Sequence, residues 1–418
     1  MILGCKVNDY EATVLKNKLL KNGYKEVSFK EKADIYIIFT CCVTNTAESK
    51  TRKMVHRARN TNSNAYVVAV GCLVQIKGDS YDFDAADLIV GSKDKDKLFD
   101  LIDKNVKSKI VSPLNNDFNN LTLESYPGKS RAFLKVQDGC NQFCAYCIIP
   151  YARGRETSGK HEDIIKQARI LSKTSKELVL VGIHTGRYFD GEYHLYDLLK
   201  ELCEIEELET IRLSSIEVSE INDDIIDLMA TNNKLAHHLH IPIQSASDEI
   251  LKSMHRPYTI KEYKDRIAYI RSKIEDISIS TDLIVGFPGE SEELFNETIN
   301  NLKDIEFSFI HVFPYARKTG TIADKLEGHI NEKIKKERLY KVENIQEPLT
   351  IKFINKYKGH NLKMLVEKRD DDYVYGYTKQ YFYLKAKGDG NVGDVVNVVV
   401  DDVSSGEVLG HVSWWTFW

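Results

Sequence analysis

Cys140, Cys144 and Cys147 close the run Gln137-Asp138-Gly139-Cys140-Asn141-Gln142-Phe143-Cys144-Ala145-Tyr146-Cys147, a C-x3-C-x2-C spacing with an aromatic just before the last thiol. Three thiolates hold three irons of a four-iron cluster and leave the fourth iron without a protein ligand. An open iron binds a small molecule and passes it an electron, which is a different task from closed four-cysteine electron transfer. The plain alternatives are a zinc knuckle or three incidental thiols. Zinc normally takes four ligands, and no fourth Cys or His stands at zinc spacing nearby.

A second set lies nearer the start: Cys5, Cys41 and Cys72, in Leu3-Gly4-Cys5, Phe39-Thr40-Cys41 and Val70-Gly71-Cys72. Each ends a strand or strand stub. Parallel strands end on one sheet edge, so the three can converge in space. One such cysteine reads as a small buried hydrophobe; three at equivalent strand ends read better as a second three-ligand set. Cys42 follows Cys41, points elsewhere in an extended chain, and is expected to pack. Cys203 lies in the apolar stretch Leu198–Ile205 and is assigned to core.

Further polar groups sit at strand ends: Gly182 and His184 in Val181–Gly186, Arg212 and Glu217 in Arg212–Glu217, Gln244 in His238–Ser245, and Asp282 in Asp282–Glu290. At the C-terminal face of a parallel barrel such groups converge on one ligand. Each alone is weak: a strand-end His is commonly a hydrogen-bonded wall residue, and Gly286-Phe287-Pro288-Gly289 is as readily a turn. No Walker A run, dinucleotide fingerprint or zincin motif occurs, so nucleotide hydrolysis and hydride transfer lack support.

The elements that must position these groups form three regions within 418 residues. Residues 1–110 alternate strands (Ala33–Thr40, Ala65–Gly71, Asp87–Gly91) with helices (Glu11–Asn22, Thr46–Asn60, Lys95–Lys104), an open α/β domain with a parallel sheet. Pro113–Arg131, aperiodic and Asn-rich, reads as a linker. Residues 126–356 carry strands near Ala132–Val136, Leu178–Gly182, Thr210–Leu213, His238–Ile241, Ile277–Leu283 and Phe307–Val312, then a charged helix, Lys333–Asn355. Six strand–helix units predict an incomplete parallel (β/α) barrel. Residues 357–418 turn β-rich, with strands near Lys363–Val366, Tyr373–Tyr377, Tyr381–Ala386, Val395–Val400 and Val408–Val412, a small all-β barrel of oligonucleotide-binding type. The fold class is α/β.

The net charge of −4 gives no global attraction to nucleic acid or anionic membrane. Basic residues cluster locally instead: Lys50, Arg52, Lys53, Arg57 and Arg59 on one helix; Arg153 and Arg155 after the Cys140 loop; Lys333, Lys335, Lys336, Arg338 and Lys341 on the charged helix. The first two groups stand beside the cysteine sets, where a phosphate backbone would dock. The third reads equally well as a solvated face. Tyr373, Tyr375, Tyr377, Tyr381, Phe382 and Tyr383 either stack bases or pack the small barrel. Trp414, Trp415 and Trp418 suggest a packed or edge-covering tail. With no membrane-length apolar run and no signal-peptide pattern, a cytoplasmic, reducing location is expected. Eight cysteines there point to metal or redox chemistry.

Taken together, these residues resemble the radical S-adenosylmethionine methylthiotransferases over essentially the whole chain: Cys5, Cys41 and Cys72 in an N-terminal α/β domain, the Cys140-Cys144-Cys147 loop on a radical SAM barrel, and a C-terminal TRAM-like barrel. Gly4-Cys5-Lys6-Val7-Asn8, Thr44-Asn45 and Ile149-Pro150-Tyr151-Ala152-Arg153-Gly154 are similar to the MtaB branch, which modifies N6-threonylcarbamoyladenosine beside the tRNA anticodon. The MiaB branch, on isopentenyladenosine, tends to read Gly-Cys-Gln-Met-Asn in the first motif, and the RimO branch, on a ribosomal-protein aspartate, Gly-Cys-Pro-Lys-Asn. Phe39 before Thr40-Cys41 and Ala246 after Gln244-Ser245 depart from the family's usual Asn and Gly.

The resemblance implies two 4Fe–4S clusters. Cys140, Cys144 and Cys147 would hold one, whose open iron chelates S-adenosylmethionine and cleaves it to a 5′-deoxyadenosyl radical that takes hydrogen from carbon 2 of adenine. Cys5, Cys41 and Cys72 would hold the other, which carries sulfur methylated by a second S-adenosylmethionine. Tyr146, Gly182, Arg212, Glu217, Gln244 and Asp282 are the expected cofactor- and substrate-facing residues. The implied partners are a tRNA anticodon stem-loop, an electron donor such as a flavodoxin or ferredoxin, and a sulfur donor; neither DNA nor a membrane is expected. The rivals are the same chemistry on isopentenyladenosine or a protein side chain, and a non-catalytic iron–sulfur RNA-binding protein.

Overall fold

Tyr66-Val-Val-Ala-Val-Gly71 is buried along its whole length, as a central parallel strand requires. It pairs in parallel with Ile35–Thr40 on one side and Leu88–Val90 on the other, and Ser108–Ile110 extends the sheet. Ile2 adds a one-residue parallel bridge to Phe39. Side chains alternate between the faces. Val68, Val70, Leu88 and Val90 meet the helices Lys6–Lys21 and Leu98–Asp103 through Ala12, Leu15, Leu98 and Ile102. Tyr36, Ile38, Val67 and Ala69 meet the helix Asn45–Thr61 through Val55 and Ala58. The first helix begins at Lys6, five residues before its expected start, so Cys5 becomes its N-cap.

The computed structural model describes residues 1–78, 83–126, 129–404 and 406–413. The three tryptophans and Pro127-Gly128 lie outside the described residues. The expected linker is not a free tether. Leu123 and Tyr126 are buried in the central core, Tyr10 Oη donates to Leu121 O at 2.6 Å, and the Leu123 amide donates to Gln167 Oε1 at 2.9 Å. Burying a leucine contributes about 2 kcal/mol, and two anchors among many polar residues leave no periodicity to read.

Six parallel strands follow in sequential order: Ala132–Lys135, Glu177–Val181, Thr210–Leu213, His238–His240, Ser278–Val285 and Phe309–Pro314. The bridges Ile211–Leu235 and Ser215–His240 join the first three to the last three. Leu134, Leu178, Leu180, Ile211, Leu239, Ile279 and Leu283 face the outer helices within one core. The alternate residues, among them Lys135, Arg212, His238, His240, Asp282 and His311, therefore face the lumen. Phe309–Pro314 does not pair back with Ala132–Lys135, so this is the expected partial barrel.

The C-terminal strands close a five-stranded barrel in the order Asn361–Arg369, Tyr373–Thr378, Tyr383–Lys387, Glu407–Val412, Val395–Ser404. Its loop 378–382 seals the floor of the partial barrel, where the parallel strands begin. Tyr381 stacks on His238 with 4.6 Å between ring centroids, and Gln380 Nε2 donates to Asp276 Oδ2 at 2.9 Å. This sorts the tail aromatics. Phe382 is core, Tyr377 and Tyr381 stack on each other at the floor, and Tyr373, Tyr375 and Tyr383 keep accessible surface. The helix Glu332–Asn355 is only partly a solvated face: Lys333 and Lys336 are exposed, but Arg338 is buried against Glu290 at 2.6 Å and Lys335 donates to Tyr315 O at 3.0 Å. No helix among the described residues is long and apolar enough to cross a membrane.

Candidate active site

The Cys140 loop leaves the first barrel strand through Gln137–Asp138, which pairs antiparallel with Thr157–Ser158. Gln137 anchors its base. Its Oε1 accepts from the amides of Ile183 (3.0 Å) and His184 (2.7 Å), and its Nε2 donates to Gly139 O at 2.8 Å. Gly182 permits this, since a Cβ there would meet Gln137 Oε1 at 3.0 Å. The far side hangs on the Ala145 amide, which donates to Met254 O at 3.0 Å, and on Ala145 O, which accepts from the Ala323 amide at 2.8 Å.

The three thiols lie close enough for each charge to oppose the others. Cys147 is pushed up to about 12, first by burial and then by the Cys144 charge. Burial also raises Cys144, against the pull of Arg256, whose Nη1 lies 3.3 Å from its sulfur. Cys144 and Cys147, both raised, become thiolates only with strong cationic compensation, which iron would supply. The donor set therefore fits a cluster. Cys140, Glu156 and His184 also converge within 4.8 Å. Burial opposes a charge on His184, but Cys140, Glu156 and Glu220 push its pKa up to about 12. His184 lies 3.5 Å from the Cys140 sulfur and forms part of the wall beside it.

The second trio converges where the strands of the first sheet end. Cys41 follows Ile35–Thr40, Cys72 opens the short helix after Tyr66–Gly71, and Cys5 caps Lys6–Lys21. Gly4 is pressed against Cys41: a Cβ there would stand 2.8 Å from Cys41 Cβ. Asn8 ties two arms together, its Nδ2 donating to Leu3 O at 2.8 Å and Thr40 O at 3.0 Å. Cys41 is pushed up to about 11 by burial, with Cys72 and Cys5 adding to the rise. Cys5 is exposed while Cys41 and Cys72 are buried, so this trio has one open side. Cys42 packs in the core as expected, but it does not point away. Its thiol hydrogen-bonds to that of Cys72 and holds that group low, Cys42 lying just beyond the end of the strand Ile35–Thr40.

Helix Ile149–Arg153 joins the two trios. It starts two residues after Cys147 and packs Ile148 and Ala152 into the core that contains Cys41 and Cys72. Arg153, expected to be free for phosphate, is buried instead. Its Nη2 donates to Asn8 Oδ1 at 2.9 Å, and its Nη1 to Glu11 Oε1 and Asp138 Oδ1, each at 3.1 Å. Lys95 and Lys135 complete the cation set around Glu11. On helix Asn45–Thr61, by contrast, Lys50, Arg52, Lys53 and Arg57 keep accessible surface and only Arg59 turns inward, to Asp87.

The remaining expected residues divide. Tyr146 packs against Met254 and Phe287 beside Cys144 and Cys147. Glu217 pairs with Arg256, which also holds Tyr258 Oη at 3.0 Å, so Arg256 links Cys144 to the third strand end. Sequence reasoning missed Arg256, a lone cation before Pro257 with no motif around it. Gln244 adopts φ +62, a strained geometry for a residue with a Cβ, beside the end of Ser278–Val285. Asp282 faces the lumen, 3.3 Å from His240 Nε2. Arg212 stands apart from the mouth. It lies at the floor, paired with Glu177 at 3.1 Å and donating to Lys379 O at 3.1 Å and Thr378 O at 3.3 Å.

Residues 134–302 match the Radical SAM superfamily, and residues 1–91 match the uncharacterized protein family UPF0004. The chain is 36% identical to the threonylcarbamoyladenosine tRNA methylthiotransferase MtaB of Bacillus subtilis, covering 95% of this chain and 92% of that protein. It is 38% identical to the protein of the same name from Aquifex aeolicus, over 95% of this chain and 98% of that protein. Identity is 33% to the tRNA-2-methylthio-N(6)-dimethylallyladenosine synthase of Thermodesulfovibrio yellowstonii, over 95% and 94%. Among solved structures, the radical S-adenosylmethionine methyltransferase TsrM of Kitasatospora setae shares the fold, with TM-score 0.56 at 14% identity over 75% of this chain and 73% of that one.

Proposed function

This chain belongs to the radical S-adenosylmethionine methylthiotransferases, and on that premise we propose that it inserts a methylthio group at carbon 2 of N6-threonylcarbamoyladenosine next to the tRNA anticodon. The observation that carries the reading is the coupling of two three-cysteine sets through Ile149–Arg153, one on the barrel loop and one on the neighbouring sheet edge. The two relatives named for threonylcarbamoyladenosine, at 36% and 38% identity, support this substrate over the dimethylallyl one at 33%.

Cys140, Cys144 and Cys147 hold the radical-generating 4Fe–4S cluster in this reading, and Cys5, Cys41 and Cys72 a second one that carries sulfur. With S-adenosylmethionine bound, the first supplies homolytic chemistry for an unactivated C–H bond, which acid–base groups do not break. The chain's own residues position and shelter. Gln137 and Gly182 fix the loop, Arg256 neutralises Cys144, and Tyr146 and Phe287 exclude water beside it. Asn8 holds two arms of the second trio together. The exposed basic face of Asn45–Thr61 and the accessible tyrosines of the small barrel suit an unpaired anticodon loop, whose bases can be splayed into a site. The reading also calls for an electron donor such as a flavodoxin or ferredoxin, a sulfur donor and a cytoplasmic location.

Nucleoside mass spectrometry of tRNA from a deletion strain tests it. The methylthio mark on threonylcarbamoyladenosine disappears and returns with this chain supplied in trans. Persistence of that mark, or loss of the mark on isopentenyladenosine instead, overturns the substrate.

A further inference from the structure

Lys6 follows Cys5 directly and opens the first helix. Its neighbour Val7 is buried against Val179 and Val181, so this helix start is pressed onto the lumenal side of the second barrel strand. The Lys6 side chain is exposed, and it makes no hydrogen bond or ion pair among the described residues. It is nonetheless ringed. Its charge interacts with Arg131, Glu177, Arg212 and Asp282, and acts in turn on His238 and His311. These six stand on, or immediately before, the six different strands of the partial barrel. Only a position within the lumen is near all of them.

Among the described residues no carboxylate pairs directly with this ammonium. Glu177 is taken by Arg212, and Asp282 lies against His240. A cation held in a protein lumen without a directly paired counter-charge is costly. A ligand that brings its own carboxylate relieves that cost; an uncharged one adds to it.

We propose that Lys6 is the specificity-determining residue for the N6 arm of the substrate: in the lumen its ammonium pairs with the free carboxylate of the threonylcarbamoyl group. The inference rests on the substrate proposed above and deepens it. A dimethylallyl arm is an uncharged hydrocarbon and gains nothing from this cation. The position suits the chemistry. In adenine a single ring nitrogen separates carbon 2 from the carbon that bears the arm. A side chain one residue from sulfur-holding Cys5 therefore reaches the arm while carbon 2 faces the sulfur.

The test compares the reconstituted wild type, Lys6→Gln and Lys6→Arg on anticodon stem-loop RNAs whose N6 arm ends in the carboxylate or in the matching carboxamide, with iron content as the check on folding. The wild type is expected to prefer the carboxylate RNA by about 10- to 100-fold in kcat/KM, mostly through KM. Lys6→Gln brings the preference close to unity, and Lys6→Arg keeps most of it. The inference is overturned if Lys6→Gln, with full iron, discriminates as the wild type does. A wild type that modifies dimethylallyl RNA but neither of these RNAs fails differently: the substrate reading falls, and the role of Lys6 falls with it.

Discussion

Arg153, from the helix that leaves the Cys140 loop, donates to Glu11 Oε1 at 3.1 Å across 142 residues of sequence. Both side chains are nearly inaccessible, at 2% and 3% exposure. Glu11 lies in the second turn of the helix that Cys5 caps, so the pair fixes one cysteine set relative to the other. The sulfur delivery proposed above would require such a fixed relation, because misplacing reacting groups by an ångström costs orders of magnitude in rate. Burial opposes a charged Glu11, yet Arg153, Lys95 and Lys135 hold its carboxyl well below the usual range.

Replacing Arg153 by Met should therefore damage more than one ion pair. Breaking a buried pair from one side costs about 3–5 kcal/mol, and here Asn8 Oδ1 also loses the nearer of its two donors, keeping only Lys95 at 3.4 Å. Guanidinium unfolding of the reconstituted protein should show a loss of that order, and Arg153→Lys a smaller one. Glu11 and Asn8 variants should be non-additive with Arg153, as one network requires.

The two cysteine sets should separate the two half-reactions. Changing Cys140, Cys144 and Cys147 to Ala should abolish release of 5′-deoxyadenosine. Changing Cys5, Cys41 and Cys72 to Ala should leave that release measurable but yield no methylthio nucleoside. Each triple variant should lose about half of the reconstituted iron. Chromatography of the small-molecule products beside iron analysis reads both outcomes.

The strands and the cysteines at their ends were legible because their signals are local. The apolar run Tyr66–Gly71 leads straight into Cys72, and C-x3-C-x2-C needs no partner elsewhere. What hid was every feature whose meaning depends on a distant residue. Arg153, Lys335 and Arg338 look like surface charge until Glu11, Glu290 and the Tyr315 carbonyl are seen beside them. The first helix hides its start because Lys6, Asn8 and Asp9 break the apolar rhythm, although Val7 packs on the second barrel strand and Asn8 holds the cysteine arms. Arg212 stands next to a strand end in sequence, but its long side chain runs to the floor, where loop 378–382 receives it.

Gly139 should tolerate no side chain. It sits at φ +69, and a Cβ would fall 2.0 Å from the Arg155 carbonyl oxygen, which is backbone and cannot swing away. Gly191 has nearly the same φ, +67, with nothing within 4 Å. Gly191→Ala should cost only the left-handed strain, about 1–2 kcal/mol. Gly139→Ala adds a backbone collision at the root of the Cys140 loop. Thermal unfolding should separate the two, and only Gly139→Ala should also lose iron from the radical-generating site.

His238 should make docking of the small barrel pH-dependent. It is buried under Tyr381, and burial, then the Arg212 charge, holds its pKa well below 6.5. Below pH 6.5 the unfolded chain takes up a proton that the folded imidazole refuses. The unfolded state then binds more protons, so stability falls as pH drops through that range. Carboxylates contribute to the same limb at lower pH, so the reading is the difference between wild type and a variant. His238→Phe keeps a ring for Tyr381 to stack on but has nothing to titrate, and its stability should decline less between about pH 6.5 and 5. Denaturant midpoints across that range check it. If the two profiles run parallel, His238 is not the group that loosens the floor.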